Sequence, residues 1–176
     1  TTSVETFQSP DSGPLGYVNN GKVHYYYAPE RHYKERTHVR GGSVEGKSHH
    51  LYFNIDGIKS LPKVGIAYGY ADAGRDVVDM MVRSGYNGIV YAGVGNGNIH
   101  MNVFPALENA VRNGVVVVRS SRVPTGATTL DAEVDDAKYH FVASWGLNPQ
   151  KARILLMLAL TKTKDWKKIQ EYFNNF

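Results

Sequence analysis

The sequence contains no cysteine among its 176 residues. Disulfide frameworks, thiolate nucleophiles and cysteine-bound metals are therefore excluded. A long hydrophobic run is also missing, because the longest apolar stretch extends only from Ile154 to Leu160, whereas a membrane-spanning helix needs about 20 apolar residues. We therefore expect no membrane partner. The absence of cysteine is compatible with a periplasmic or extracellular protein but does not require one.

The remaining composition indicates one substantial core with room for an appended piece, since 42% of the residues are hydrophobic and 20% are charged. No secretory signal peptide is visible at the start, and the first residue is Thr1 rather than Met. We therefore expect the sequence to begin within a longer protein or at a processing site.

The net charge of +4 is concentrated between Lys22 and His50, a stretch rich in lysine, arginine and histidine. Neighbouring tyrosines make a nucleic-acid-binding face conceivable, but no nucleic-acid motif accompanies the charge, and a solvated linker explains it better. The adjacent pair His49-His50 points in two directions and has no carboxylate spaced for ligation. We expect no nucleic acid partner, no metal site and no cofactor.

The first part of the chain predicts a β-hairpin. Two β-prone runs within Gly13 to Tyr27 flank Asn19-Asn20-Gly21, a typical hairpin turn. A lone hairpin is only marginally stable in water, so this one needs another sheet to lie on. Residues 31–60 are polar and charged at first and ambiguous from Leu51, and we interpret them as a linker.

From Leu61 onward, strand and helix patterns alternate. Predicted strands are Lys63–Tyr70, Gly88–Gly93, Val115–Val118 and residues 139–143, and predicted helices are Ala73–Ser84, Ile99–Asn113, Asn148-Pro149 to about Thr161, and one from about Asp165. In the third helix we expect Ile154, Leu155, Leu158 and Ala159 to face inward. Alternation with short loops predicts an α/β fold, a parallel sheet with helices on both faces.

A glycine-rich loop, Gly93-Val94-Gly95-Asn96-Gly97-Asn98, follows the second strand. It is neither a dinucleotide fingerprint, because the third glycine is missing, nor a phosphate loop, because no Gly-Lys-Ser/Thr follows. One interpretation is a tight turn in which Asn98 caps the next helix. The other is a ligand-binding loop, since a side-chain amide can both donate and accept hydrogen bonds.

An acidic stretch, Asp131-Ala132-Glu133-Val134-Asp135-Asp136, follows the third strand. The carboxyl ends of parallel strands meet at one edge of a sheet, where open α/β folds bind ligands. We therefore expect these acids near Asn98. A solvated surface run, an ammonium-binding site and a metal-binding site all remain compatible with this stretch alone.

Several of these motifs closely resemble one family. The glycine loop, the run from Val118 to Thr129, the run from Asp131 to Tyr139 and the run from Leu147 to Arg153 are similar to the carboxyl-terminal half of bacterial type II L-asparaginases. The early Gly13-Pro14-Leu15-Gly16-Tyr17 and the late Ile169 to Phe173 also resemble that family. The similarity covers nearly the whole chain.

The resemblance implies an enzyme that hydrolyses L-asparagine to L-aspartate and ammonia, with L-glutamine as a weaker substrate. It implies a periplasmic or secreted homotetramer of tight dimers. Residues 1–30 would end the larger amino-terminal domain, which explains the hairpin. Residues 31–60 would be the linker, with an apparent insertion from Arg31 to His50, and residues 61–176 the smaller, flavodoxin-like carboxyl-terminal domain.

The resemblance also assigns roles to two residues. Asn98 would join the hydrogen bonds around the α-amino end of the substrate, and Glu133 would pair with its ammonium group. Relatives with strong glutaminase activity tend to have serine at the position of Asn98, which favours asparagine as the substrate. The family's nucleophilic threonine, its Thr-Asp pair and its lysine have no counterpart here, so this chain would supply binding residues to a neighbouring subunit and no catalytic residue.

Two other functions remain open on the sequence. One is a non-catalytic, flavodoxin-like module that binds an amino acid. The other is an amino-terminal hydrolase that uses Thr1 as nucleophile and its own amine as base, although such enzymes have stacked antiparallel sheets rather than alternating strands and helices.

Overall fold

The computed structural model describes residues 2–27 and 53–175. They form two compact units, one before residue 53 and one from residue 53 onward, and each is described by itself. The expected insertion at 31–50 and the alternative nucleophile Thr1 lie outside the described residues.

The first unit contains the expected hairpin. Strands β1 (Gly16–Asn19) and β2 (Lys22–Tyr25) pair antiparallel, with Asn19 opposite Lys22. The two turn residues, Asn20 and Gly21, have φ of 50° and 71°, the left-handed conformation that a two-residue hairpin turn requires. Nearly all of its residues are exposed, so nothing among residues 2–27 covers the ribbon.

The second unit is a four-stranded parallel sheet in the order β3-β4-β5-β6. The strands are β3 (Val64–Tyr68), β4 (Gly88–Gly93), β5 (Val116–Ser121) and β6 (Phe141–Ala143). Every residue of β4 is buried, as a strand covered on both faces requires. The predicted α/β fold, with its flavodoxin-like parallel sheet, is confirmed.

The helices are α1 (Asp76–Arg83), α2 (Phe104–Arg112), α3 (Asp136–Tyr139), α4 (Pro149–Ala159) and α5 (Trp166–Asn175). Helices α1 and α2 pack on one face of the sheet, where Ile89, Tyr91 and Val117 point. Helices α4 and α5 pack on the other face, against Val90 and Val118. The alternation of side chains along each strand thus serves two cores.

None of the helices within residues 2–27 and 53–175 combines the length and apolarity needed to cross a bilayer.

Several predicted boundaries were wrong. Helix α1 begins at Asp76 rather than Ala73, and β5 continues to Ser121 rather than ending at Val118. Two further boundaries differ for local reasons. Helix α2 begins at Phe104 rather than Ile99, because a turn at residues 101–103 precedes it. The fourth strand begins at Phe141 rather than at residue 139, because Tyr139 ends α3 and His140 takes a left-handed φ of 55°. By contrast, Asn148 caps α4 as predicted, with its side chain accepting a hydrogen bond from the Lys151 amide at 2.9 Å.

The inward face of α4 also differs from the prediction. Ala152, Leu155, Leu156 and Ala159 are buried, whereas Ile154 is 51% exposed. The stretch from Ile154 to Leu160 is apolar on all sides of the helix, so its periodicity does not select one face.

Substitutions in α4 test this orientation. Leu156→Ala should destabilise the chain by roughly 2–5 kcal/mol, because it empties space in a closed core. The matched Ile154→Ala should change stability by less than about 1 kcal/mol, because that side chain already contacts water. Guanidinium unfolding of the 176-residue chain measures both, and equal losses would contradict the observed orientation.

Candidate functional site at the carboxyl edge of the sheet

The loop after β4 is a closed turn. The backbone N–H of Asn98 donates to the carbonyl of Val94 at 2.8 Å, and the Val94 N–H donates back at 3.4 Å. Between them Gly95 and Gly97 take φ of 50° and 76°, a conformation that glycine adopts without steric cost. Asn98 therefore closes this turn and does not cap α2, which corrects that interpretation. Residues 93–98 are called the Asn98 loop below.

The side chain of Asn98 has an unusual environment. Its Oδ1 atom is buried and accepts no hydrogen bond from the described residues. A buried amide oxygen without a donor costs about 1–3 kcal/mol, and most such atoms in proteins are satisfied. The Asn98 amide is therefore ready to accept a hydrogen bond from a group that these residues do not provide.

Arg119, near the end of β5, is fully buried. Its Nε and Nη2 donate to the two carboxylate oxygens of Asp136 at 2.6 and 2.5 Å, a bidentate ion pair. Its Nη1 donates to the carbonyl of Asn96 at 3.0 Å and, less closely, to that of Gly97 at 3.4 Å. Its Nη2 also donates to the carbonyl of Thr129 at 2.9 Å. One guanidinium thus contacts both the Asn98 loop and the acidic segment.

The acidic segment is held by its own carboxylates. The Asp136 N–H donates to Asp131 Oδ1 and the Asp131 N–H donates to Asp136 Oδ2, both at 2.9 Å. Asp135 caps α3 by accepting a hydrogen bond from the Lys138 N–H at 2.9 Å. Three of the four acids predicted to form one group therefore stabilise the backbone. Residues 129–136 are called the Glu133 loop below.

Glu133 differs from these three acids. It is exposed and lies in the bend between Asp131 and Asp135. Within residues 53–175 its carboxylate has neither a hydrogen bond nor an ion pair. It is the acid of this segment that remains available for a ligand.

A second connection joins the two loops. Asn96 Nδ2 donates to Thr129 Oγ1 at 2.8 Å, and the Thr129 N–H donates to Asn96 Oδ1 at 2.7 Å. The Asn96–Thr129 pair and Arg119 together hold the loops that carry Asn98 and Glu133 at the same edge of the sheet, as the strand order predicted. No three His, Asp or Glu side chains converge as a metal site in the part of the chain that the structure describes.

This edge of the sheet is shaped by Arg119, Asp136 and Asn96, and none of the three was predicted in that role from the sequence. The available signal was the position of Arg119 directly after the buried run Val115–Val118. A charge that continues a buried strand needs a partner of opposite sign, and the acidic segment that follows the same strand offered one.

The fold and these loops define an α/β domain that presents an amide and a free carboxylate at the carboxyl edge of its sheet. Residues 63–173 match the glutaminase/asparaginase carboxyl-terminal domain. The chain belongs to the glutaminase/asparaginase family. This confirms the resemblance on which the sequence analysis relied.

Individual relatives agree with this assignment. The chain is 53% identical over 176 residues to L-asparaginase 2 of Escherichia coli, covering 100% of this chain and 47% of that protein. It is also 53% identical, over 100% of its length and 46% of the relative's, to a probable periplasmic L-asparaginase of Haemophilus influenzae. A glutaminase-asparaginase of Pseudomonas fluorescens is 41% identical, over 97% of this chain and 43% of that protein. The chain spans just under half the length of these relatives.

Two glycines of the Asn98 loop allow a matched test of its geometry. A Cβ on Gly97 would lie 2.7 Å from Thr128 Cγ2 and 3.1 Å from Arg119 Nη1, whereas a Cβ on Gly95 would meet nothing within 4 Å. Both positions have positive φ, so alanine carries a similar backbone cost at each. Gly97→Ala should therefore destabilise the chain by about 1–3 kcal/mol more than Gly95→Ala.

The difference between the two variants is read from their denaturation midpoints. Equal midpoints would show that Gly97 does not pack closely against Arg119 and Thr128.

Proposed function

We propose that this chain is the carboxyl-terminal part of an L-asparaginase, which hydrolyses L-asparagine to L-aspartate and ammonia and acts more weakly on L-glutamine. The observation that carries the proposal is the availability of Glu133, the acid left free in a segment whose other acids stabilise the backbone. The names and identity of the Escherichia coli and Haemophilus influenzae relatives support it.

Each binding role follows from the chemistry of the side chain. Glu133 pairs with the α-ammonium group of the substrate, since an exposed carboxylate near neutral pH attracts a cation and accepts its hydrogen bonds. Asn98 joins the hydrogen bonds around the same end of the substrate. Its buried and unpartnered Oδ1 supports this role, because a hydrogen-bond donor on the substrate would offset the cost of burying this oxygen without a partner.

The nucleophile lies outside this chain. In the proposal, a threonine of the amino-terminal domain attacks the side-chain amide, an acyl-enzyme forms as ammonia leaves, and water releases aspartate. This part supplies Asn98 and Glu133 to the active site of the neighbouring subunit within a tight dimer, and two dimers form a tetramer. The name of the Haemophilus influenzae relative supports a periplasmic or secreted location.

The domain division follows from the same assignment. Residues 1–30 end the amino-terminal domain, residues 31–60 are the linker and residues 61–176 form the smaller domain. The exposure of the hairpin supports this division, because a two-stranded ribbon needs a further sheet to cover it.

A chimera tests the role of Glu133. Residues 1–176 replace the aligned carboxyl-terminal half of the Escherichia coli relative, and ammonia release from L-asparagine is measured. Glu133→Gln should lower kcat/KM by roughly 10–100-fold, since a hydrogen bond to a charged group contributes about 1.5–3 kcal/mol. The control Asp56→Asn removes a charge from an exposed turn outside both loops and should leave activity unchanged.

An unchanged kcat/KM in Glu133→Gln would remove the carboxylate from substrate binding. Activity of the 176-residue chain alone would show that a nucleophile is present within it, and Thr1→Ala would then be the next variant. Calorimetric binding of L-aspartate by the isolated chain, without activity, would favour the amino-acid-binding module.

Mixing two inactive chimeras tests the sharing of sites between subunits. One carries Glu133→Ala, and the other lacks the nucleophilic threonine of the amino-terminal half. After denaturation together and refolding, roughly a quarter of the full activity should return, because mixed isologous dimers assemble one intact site from two chains. Activity that stays at the level of the separate chimeras would show that each site is built within one subunit.

A further inference from the structure

We propose that Arg119 is the positioning residue of this site: its buried guanidinium sets the relation between the Asn98 loop and the Glu133 loop. The proposal rests on the proposed function for the identity of the substrate. Arg119 itself acts through the backbone, since it contacts carbonyls and Asp136 and not the two binding side chains.

The hydrogen bonds of Arg119 use its full capacity. A guanidinium has five N–H donors in a rigid fork, and the five contacts go to the Asp136 carboxylate and to the carbonyls of Asn96, Gly97 and Thr129. Lysine keeps the charge but has three donors on one nitrogen and no planar fork, so it cannot reproduce the five contacts to the two loops.

Each contact constrains a binding residue through a short stretch of chain. Asn96 and Gly97 directly precede Asn98, so their carbonyls fix the turn that presents it. On the other side, Asp136 and Asp131 exchange two hydrogen bonds around Glu133, each from a backbone N–H to the carboxylate of the other residue. Asp131 holds a left-handed φ of 53°, an uncommon conformation for a residue other than glycine. The ion pair of Asp136 with Arg119 anchors this closed segment.

The functional consequence is preorganisation. Asn98 and Glu133 stand on separate loops that follow different strands, and ordering such loops when substrate arrives would weaken binding. With Arg119 holding both loops, the two groups keep one spacing before any ligand is present. Misplacement by about 1 Å can reduce the rate of an enzyme by roughly a hundredfold. Loss of the Arg119 contacts should therefore change the kinetic constants measurably.

The test uses the chimera and a double-mutant cycle. Arg119→Lys should raise the KM for L-asparagine by about tenfold or more with a smaller change in kcat, because the nucleophile belongs to the other half. In the Glu133→Gln background, Arg119→Lys should raise KM by a smaller factor than in the unmodified chimera, because only the part of its effect that acts through Asn98 remains. The control Arg153→Lys alters an arginine whose Nε donates to the Val64 carbonyl at the start of β3 and should leave KM unchanged.

Amide hydrogen exchange in the absence of substrate measures how firmly Arg119 holds the two loops. Arg119→Lys should speed exchange in residues 94–98 and 129–136 and not in α5. If this variant does not fold, Asn96→Ala takes its place, because it removes the second connection between the same loops and leaves the ion pair intact.

The outcomes separate the two proposals. A folded Arg119→Lys with unchanged KM and unchanged exchange, or KM effects that multiply with those of Glu133→Gln, would overturn the positioning role. If Glu133→Gln alone leaves kcat/KM unchanged, the proposed role of Glu133 in substrate binding fails, and faster exchange in both loops of Arg119→Lys would still establish that Arg119 positions them.

Discussion

The carboxyl edge of this sheet depends on one buried ion pair. Arg119 and Asp136 are both removed from water, and taking a charge out of water costs several kcal/mol unless partners replace the lost hydration. Their two mutual hydrogen bonds replace part of it, and backbone groups of two loops replace the rest. The loops therefore have their observed conformations partly because a charge at the end of β5 must be satisfied.

The sheet supplies the rigid frame for this arrangement. Strands β4 and β5 are buried and pair in register from Gly88–Val116 to Gly93–Ser121. This pairing fixes the start of the Asn98 loop at Gly93 and the position of Arg119 beside it. Catalytic and binding groups are often placed on loops held by such a frame. Here the frame leaves one exposed carboxylate and one buried amide oxygen without partners among the described residues, which is the property expected of an incomplete binding site.

Local patterns predicted much of the fold. The hairpin turn at Asn20-Gly21, the cap at Asn148 and the buried strand at Gly88–Gly93 all depend on residues close in sequence, and each was found as expected. The start of α2 and the inward face of α4 were not predicted correctly. In both cases the local pattern was ambiguous, since residues 99–103 are compatible with helix and Ile154 to Leu160 is apolar on every side.

The sequence by itself determined the family, the order of the strands and of the helices other than α3, and the identity of Asn98 and Glu133 as candidate binding residues. Only the tertiary structure decided which acids remain free and which arginine connects the loops. The reason is physical: Arg119 and Asp136 are 17 residues apart and Asn96 and Thr129 are 33 apart. Asn96 meets Thr129 because parallel strands bring the ends of β4 and β5 side by side, and Arg119 meets Asp136 because the chain passes the end of β5 again before α3. No local pattern contains either proximity.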